Sequence, residues 1–211
     1  MKKIIRFVGQ WMVLLLFAAT ASAKVGDTGF KKFLPAELNF KVTQTIDQLE
    51  KAANAGDVKA QVTLGRLYDT GKLVREDHAK AARWYRMAAE QRNAVAQNNL
   101  GNLYTEGLGV EKNEATAVEW YKKAAAQGLT VAESNLGYMY SEGLGVEKDF
   151  ETALKLFQKA AAEGDPDAQV NLGTMYFYGR GVKRDDGKAI EWYKKAADQG
   201  DLIAMFNLGN R

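Results

Sequence analysis

The chain has 211 residues, 46% hydrophobic and 26% charged, with no cysteine, a composition that can bury a core but excludes disulfides, thiol nucleophiles and thiolate metal ligands. The formal charge of +3 sits before Lys24: without Met1 to Ala23, which carry Lys2, Lys3 and Arg6, the chain has 26 basic and 26 acidic side chains. A neutral chain with Lys and Glu interspersed lacks the electrostatic footprint of a nucleic-acid binder, so no nucleic-acid partner is expected.

The N-terminus reads as a secretory signal peptide over residues 1–23. Lys2, Lys3 and Arg6 precede an apolar run from Phe7 to Ala19, and Ala21-Ser22-Ala23 supplies a small-x-small cleavage pattern. The run is short for a membrane span and polar residues succeed it at once, so cleavage after Ala23 and a periplasmic or secreted destination are expected, with no stable membrane anchor afterwards. Residues 24–42 read as a tether, with Gly26, Asp27 and Gly29 favouring turns and Pro35 blocking a helix running through from upstream. A first helix is expected over about Thr43 to Ala55, where Ile46, Leu49, Ala52 and Ala53 recur at helical spacing, and it is expected to cap the N-terminal end of the folded chain.

From Ala60 onward the pattern Ala-x-x-x-Leu-Gly-x-x-Tyr-x-x-Gly returns every 36 residues, with its Ala at Ala60, Ala96, Ala132, Ala168 and Ala204. A fixed period of this size marks a repeat array in which each unit buries its apolar face against its neighbours. Each unit reads as two helices. Asp57, Asn93, Asp165 and Asp201 have N-cap chemistry for the first helix, and Gly71, Gly107, Gly143 and Gly179 stand where a left-handed stop is needed. Asp77, Asn113, Asp149 and Asp185 cap the second helix, which carries stripes such as Ala81/Trp84/Tyr85/Ala88 at i, i+3, i+4, i+7. The mid-helix Gly of each Leu-Gly pair costs about 1 kcal/mol relative to Ala, so close approach of the paired helix is expected to offset it. The fold class is therefore all-α: a superhelical solenoid with full repeats at about 60–95, 96–131, 132–167 and 168–203, and a partial repeat over 204–211.

At these residues the chain resembles the Sel-one-like repeat family, a branch of the tetratricopeptide-like α/α solenoids. The segments that carry the resemblance are Ala96 to Val110 and Trp120 to Ala125 with their copies, covering about residues 48–211. Leu73 departs from Gly109, Gly145 and Gly181, and Arg92 departs from Gly56, Gly128, Gly164 and Gly200, so loops of altered shape are expected around the first repeat. The resemblance implies a right-handed superhelix whose first helices line a concave surface that holds another protein. Bacterial relatives are commonly exported adaptors or regulators, and some have been labelled β-lactam-binding or β-lactamase-like.

The reactive side chains are few. Gly143-Leu144-Gly145-Val146 and its copies come after no strand and open no third glycine, so they read as a helix stop and turn rather than a phosphate loop. His78 is the only histidine, and Ser134 and Ser141 are the only serines after residue 23, too few parts for a nucleophile, a base and an orienting group. No catalytic residue, metal site or cofactor is expected, and His78 reads as a solvated surface residue.

The recurrent Asn is more informative. Asn99, Asn135, Asn171 and Asn207 precede Leu in four consecutive copies, with Thr63 in the first. Such a ladder of amides could bond the backbone of an extended peptide, or each could bond the neighbouring repeat and bind nothing. Tetratricopeptide analogy adds Asn102, Tyr138, Thr174, Phe177 and Tyr178 to the same face. Its expected occupant is another protein or an extended peptide. Two other readings stay open: a cell-wall binder of peptidoglycan or β-lactam with weak hydrolase activity, and a structural oligomer. Ile203, Met205, Phe206 and Leu208 are expected to be incompletely covered, which opens self-association through the C-terminal partial repeat.

Overall fold

A computed structural model describes residues 36–209, with side chains from Val42 onward. The expected signal peptide and the 24–35 part of the expected tether lie outside the described residues. The rest of the expected tether is helical: α1 spans Ala36–Asn54 and so begins well before Thr43. A proline just before a helix is compatible with that helix starting directly after it.

Eight helices of near-equal length succeed it in four pairs: α2 Val58–Thr70 with α3 His78–Glu90, α4 Ala94–Glu106 with α5 Glu114–Ala125, α6 Thr130–Glu142 with α7 Phe150–Ala162, and α8 Pro166–Tyr178 with α9 Asp186–Asp198. A last short helix, α10, spans Leu202–Gly209. Each helix packs on the one before and the one after it in sequence. Helices of 13 residues are marginal alone, so burial of the repeating stripes holds them.

The expected caps are in place. Asp57, Asn93, Asp165 and Asp201 accept from the amides of Ala60, Ala96, Ala168 and Ala204 at 2.7–3.0 Å. Asp77, Asn113, Asp149 and Asp185 do the same for the second helices. Gly71, Gly107, Gly143 and Gly179 terminate the first helices with φ between 65° and 73°.

The mid-helix glycines are explained by the ring across the pair. A Cβ on Gly65, Gly101, Gly137 or Gly173 would lie 2.5, 2.6, 2.8 and 2.9 Å from ring carbons of Tyr85, Tyr121, Phe157 and Tyr193. These four rings are almost fully buried, each worth about 1.5–3 kcal/mol. The glycine is the notch that admits the ring.

The loops of the first repeat keep the shape of the others, contrary to expectation. Leu73 and Arg92 adopt φ of 68° and 65°, the left-handed region used by the glycines they replace. A Cβ at Gly56, Gly128, Gly164 or Gly200 would meet nothing within 4 Å, so the Arg92 side chain is sterically free and only its backbone is strained. Gly109, in contrast, abuts the His78–Ala79 backbone that begins α3. One period before His78 the chain is already mid-helix at Val42, and Leu73 packs on the first core cluster instead.

Some first helices also touch the first helix of the next repeat, α2 with α4 and α6 with α8. The first helices thus form one layer of the stack and the second helices the other.

Candidate functional site

Side chains of the first-helix layer fall into two sets. Asn98, Ser134 and Val170, one period apart, are buried between consecutive first helices. Asn99, Asn135 and Asn171, one residue later, are half-buried at the edge of that seam.

The asparagines do not form a uniform ladder. Asn135 reaches back to the preceding repeat, its amide donating to Oδ1 of Asn98 at 2.9 Å and facing Oδ1 of Asn102 at 3.4 Å. Asn102 also accepts from the Tyr121 hydroxyl at 2.8 Å. Oδ1 of Asn99 lies 3.4 Å from the amide of Asn98, and Asn99 is also within reach of the Tyr85 hydroxyl. The neighbour-bonding role considered from the sequence is thus the one found at Asn135. The same register places Asn171 against Ser134 and Tyr138, which offer no second amide. Asn207 lies in α10 with its side chain engaged.

Toward the C-terminal half this layer becomes aromatic and open. Tyr138 and Tyr178 are 47% and 61% exposed. Phe177, half-buried, meets Tyr178 edge to face with centroids 4.8 Å apart. Thr174 is turned away from the open face, its hydroxyl bonded to the Val170 carbonyl and to the Tyr193 hydroxyl. The Arg180 guanidinium lies 5.1 Å from the Tyr178 ring and 5.8 Å from Phe150, and 3.8 Å from the Glu142 carboxylate. At the opposite end of α8 from Tyr178, the Asp167 carboxyl is pushed up by burial and by the nearby Asp165 and Asp201.

A second periodic system, which sequence reasoning missed, fastens repeat to repeat. Gln61, Gln97 and Gln169 are buried, and each donates to the carbonyl of the residue eight positions back: Ala53 at 2.9 Å, Ala89 at 3.0 Å and Ala161 at 3.3 Å. Their oxygens accept from Gln91, Gln127 and Gln199 at 2.8, 2.7 and 3.0 Å. The third copy replaces both partners, with Glu133 and Glu163. There the carboxylate of Glu133, 3% exposed, pairs with Lys159 at 2.5 Å. The signal was visible in the sequence as two glutamine columns that change together in one repeat.

His78 is also not simply solvated. Its ring bridges Asp69 at 3.1 Å and Glu76 at 3.2 Å and is largely covered. Among the described residues no three His, Cys, Asp or Glu side chains converge as metal ligands would, and no helix is long and apolar enough to cross a membrane. In α10, Ile203, Met205 and Phe206 are exposed as expected, while Leu208 is half-buried against the last core cluster.

A family model described as Sel1 repeat matches the chain four times, over residues 58–93, 94–129, 130–165 and 166–201. The period is the one read from the sequence, with each boundary just after the first-helix cap position. Among solved structures, a protective antigen of uropathogenic Escherichia coli with the SLR fold is 40% identical with a TM-score of 0.72, over 79% of this chain and 36% of that one. The chain thus spans little more than a third of that protein. A Sel1 repeat protein of Oxalobacter formigenes is 37% identical with a TM-score of 0.66, over 79% of this chain and 74% of that one. An immunity protein of Pseudomonas aeruginosa is 26% identical with a TM-score of 0.53, over 92% and 66% of the two chains. Comparison with curated protein sequences gives no match.

Proposed function

The chain belongs to the Sel1 repeat family, and from that premise we propose that it is an exported, non-enzymatic scaffold whose inner helix layer holds an extended segment of a partner protein. Proteins built from these repeats typically mediate protein–protein interaction. The observation that carries the reading is the exposure of Tyr138 and Tyr178, at 47% and 61%, on the first-helix layer with Asn171 in the register between them. Large aromatic rings on a concave, half-polar surface are what interface anchors look like before a partner covers them. Asn171, which makes no side-chain hydrogen bond among the described residues, has both donor and acceptor to offer a peptide backbone. Export rests on the charged, apolar and small-residue segments of residues 1–23.

A photoreactive residue at position 138, compared in intact cells with one at Lys155 on the exposed side of α7, tests the reading. The expected result is a protein adduct from position 138 alone. Stable protein that gives no adduct at 138, or equal adducts at both positions, overturns it.

A further inference from the structure

Between second helices, one groove differs from its equivalents in the other repeats. Between the C-terminal ends of α3 and α5 lies a depression of about 490 Å³, floored by Ala89 and the Gln97–Gln127 amide pair. Its rim carries Glu90, Arg92, Trp120 and Lys123. The Lys123 ammonium rests 4.1 Å from the centroid of the half-buried Trp120 ring.

The repeat supplies its own control. Positions equivalent to Arg92 are Gly56, Gly128, Gly164 and Gly200, all in the left-handed region that Arg92 also occupies, at φ 65°. Glycine takes that backbone without strain and arginine does not. The strain serves no packing or pairing purpose: among the described residues the Arg92 side chain has no ion pair or hydrogen bond, and neither does that of Glu90. The corresponding groove at Trp192 has the same lysine-over-indole wall, Lys195 at 3.8 Å, but Gly164 in place of Arg92 and Ala162 in place of Glu90. The third candidate, at Leu156, has no indole, and its lysine, Lys159, is bound to Glu133.

We propose that this outer groove is a second docking site, separate from the inner layer, for a peptide segment in which a carboxylate stands beside an apolar side chain. Two unpaired cations against one unpaired anion give the rim a net positive charge, and the guanidinium offers a fork that fits a carboxylate. The apolar neighbour packs on the Trp120 ring and Ala89. A volume of about 490 Å³ lies in the range of pockets that take one or two side chains.

The test uses the full chain after signal removal, titrated with acetyl-Ser-Phe-Glu-Ser-amide while the indole N–H resonances are tracked by NMR. The expected result is a saturable shift at Trp120 with a Kd on the order of millimolar, no comparable shift at Trp192, and binding about tenfold weaker for the Gln counterpart, whose neutral amide loses the charge assistance. Arg92→Gly separates binding from folding: it is expected to weaken the peptide about tenfold while raising the Tm by roughly 2–4 °C through relief of the left-handed backbone. No saturation at Trp120, equal affinity for the Glu and Gln peptides, or an Arg92→Gly protein that binds as before overturns the proposal.

Discussion

Repeats one, two and four close their seams with neutral amides, Gln61 to Gln91, Gln97 to Gln127 and Gln169 to Gln199, whereas repeat three closes the same seam with charge. The backbone is alike in all four. In the amide seams the first glutamine donates to a carbonyl and accepts from the second, which donates to a carbonyl of its own, so the seam closes without an ion. Glu133, as a carboxylate, cannot donate to Ala125, and a glutamate at position 163 cannot donate to it, so Lys159 crosses from α7 to supply the hydrogen bond. One geometry therefore has two chemical solutions, and they should respond differently to salt and to truncation.

The largest effect tests what the repeats share. Gly137→Leu drives a side chain into the Phe157 ring, and its overpacking is expected to cost about 3 kcal/mol, a fall in Tm of roughly 6–12 °C. Gly65→Leu should cost at least as much, because the Tyr85 ring is nearer, at 2.5 Å. Gly209→Leu, with nothing within 4 Å, should leave the melt unchanged. If Gly137→Leu melts like the parent, repeat three differs from the others in more than its seam.

The next effect isolates the seam itself. Lys159→Met leaves the Glu133 carboxylate buried without its cation and is expected to cost about 1–2 kcal/mol, less than a fully buried pair because the lysine is largely exposed. Its equivalent, Lys195→Met, removes only a contact over Trp192 beside an intact amide pair, and should cost at most about 0.5 kcal/mol. Equal losses by thermal melting would show that repeat three is not held by its ion pair. The converse change, Glu133→Gln with Glu163→Gln, rebuilds the amide seam. Its Tm should match or slightly exceed the parent's, and should no longer shift between low salt and about 1 M NaCl beyond the shift of the other seams.

The fold was readable in advance to the extent that its chemistry is local. Caps such as Asp57 and stops such as Gly107 act within one turn of helix, so residue type and spacing suffice to place them. The cost of Gly137 inside a helix likewise announced a close neighbour, though not that the neighbour was the ring of Phe157. What a local reading misses depends on partners far along the chain. Nothing local separates Gln97, which bonds 30 residues ahead, from a solvated glutamine. Asn135 looked like the other asparagines, yet only there does the preceding repeat offer Asn98 and Asn102 as acceptors. His78 looked free because Asp69, its partner, lies across the loop on another helix.

The smallest effect concerns the entrance to repeat three. Leu129 stands where the other repeats carry Asp or Asn, and it makes no side-chain cap. Its carbonyl compensates by accepting from both Ala132 and Glu133, at 3.0 and 3.1 Å, whereas Asp57 gives its side chain to Ala60 and its carbonyl to Gln61. Leu129→Asp hands the Ala132 amide to a carboxylate and frees the carbonyl for a single bond, a gain of about 0.5–1 kcal/mol. Two things reduce it: Leu129 is half-buried, so some packing is lost, and the new charge sits in the same first turn as Glu133. The two corrections act on different groups, so they separate experimentally. Leu129→Asn, which caps without charge, should exceed Leu129→Asp in Tm in the parent, and that difference should shrink in the Glu133→Gln, Glu163→Gln background. An unchanged difference would mean that Lys159 already neutralises Glu133 fully, and that the entrance and the seam of repeat three are electrostatically independent.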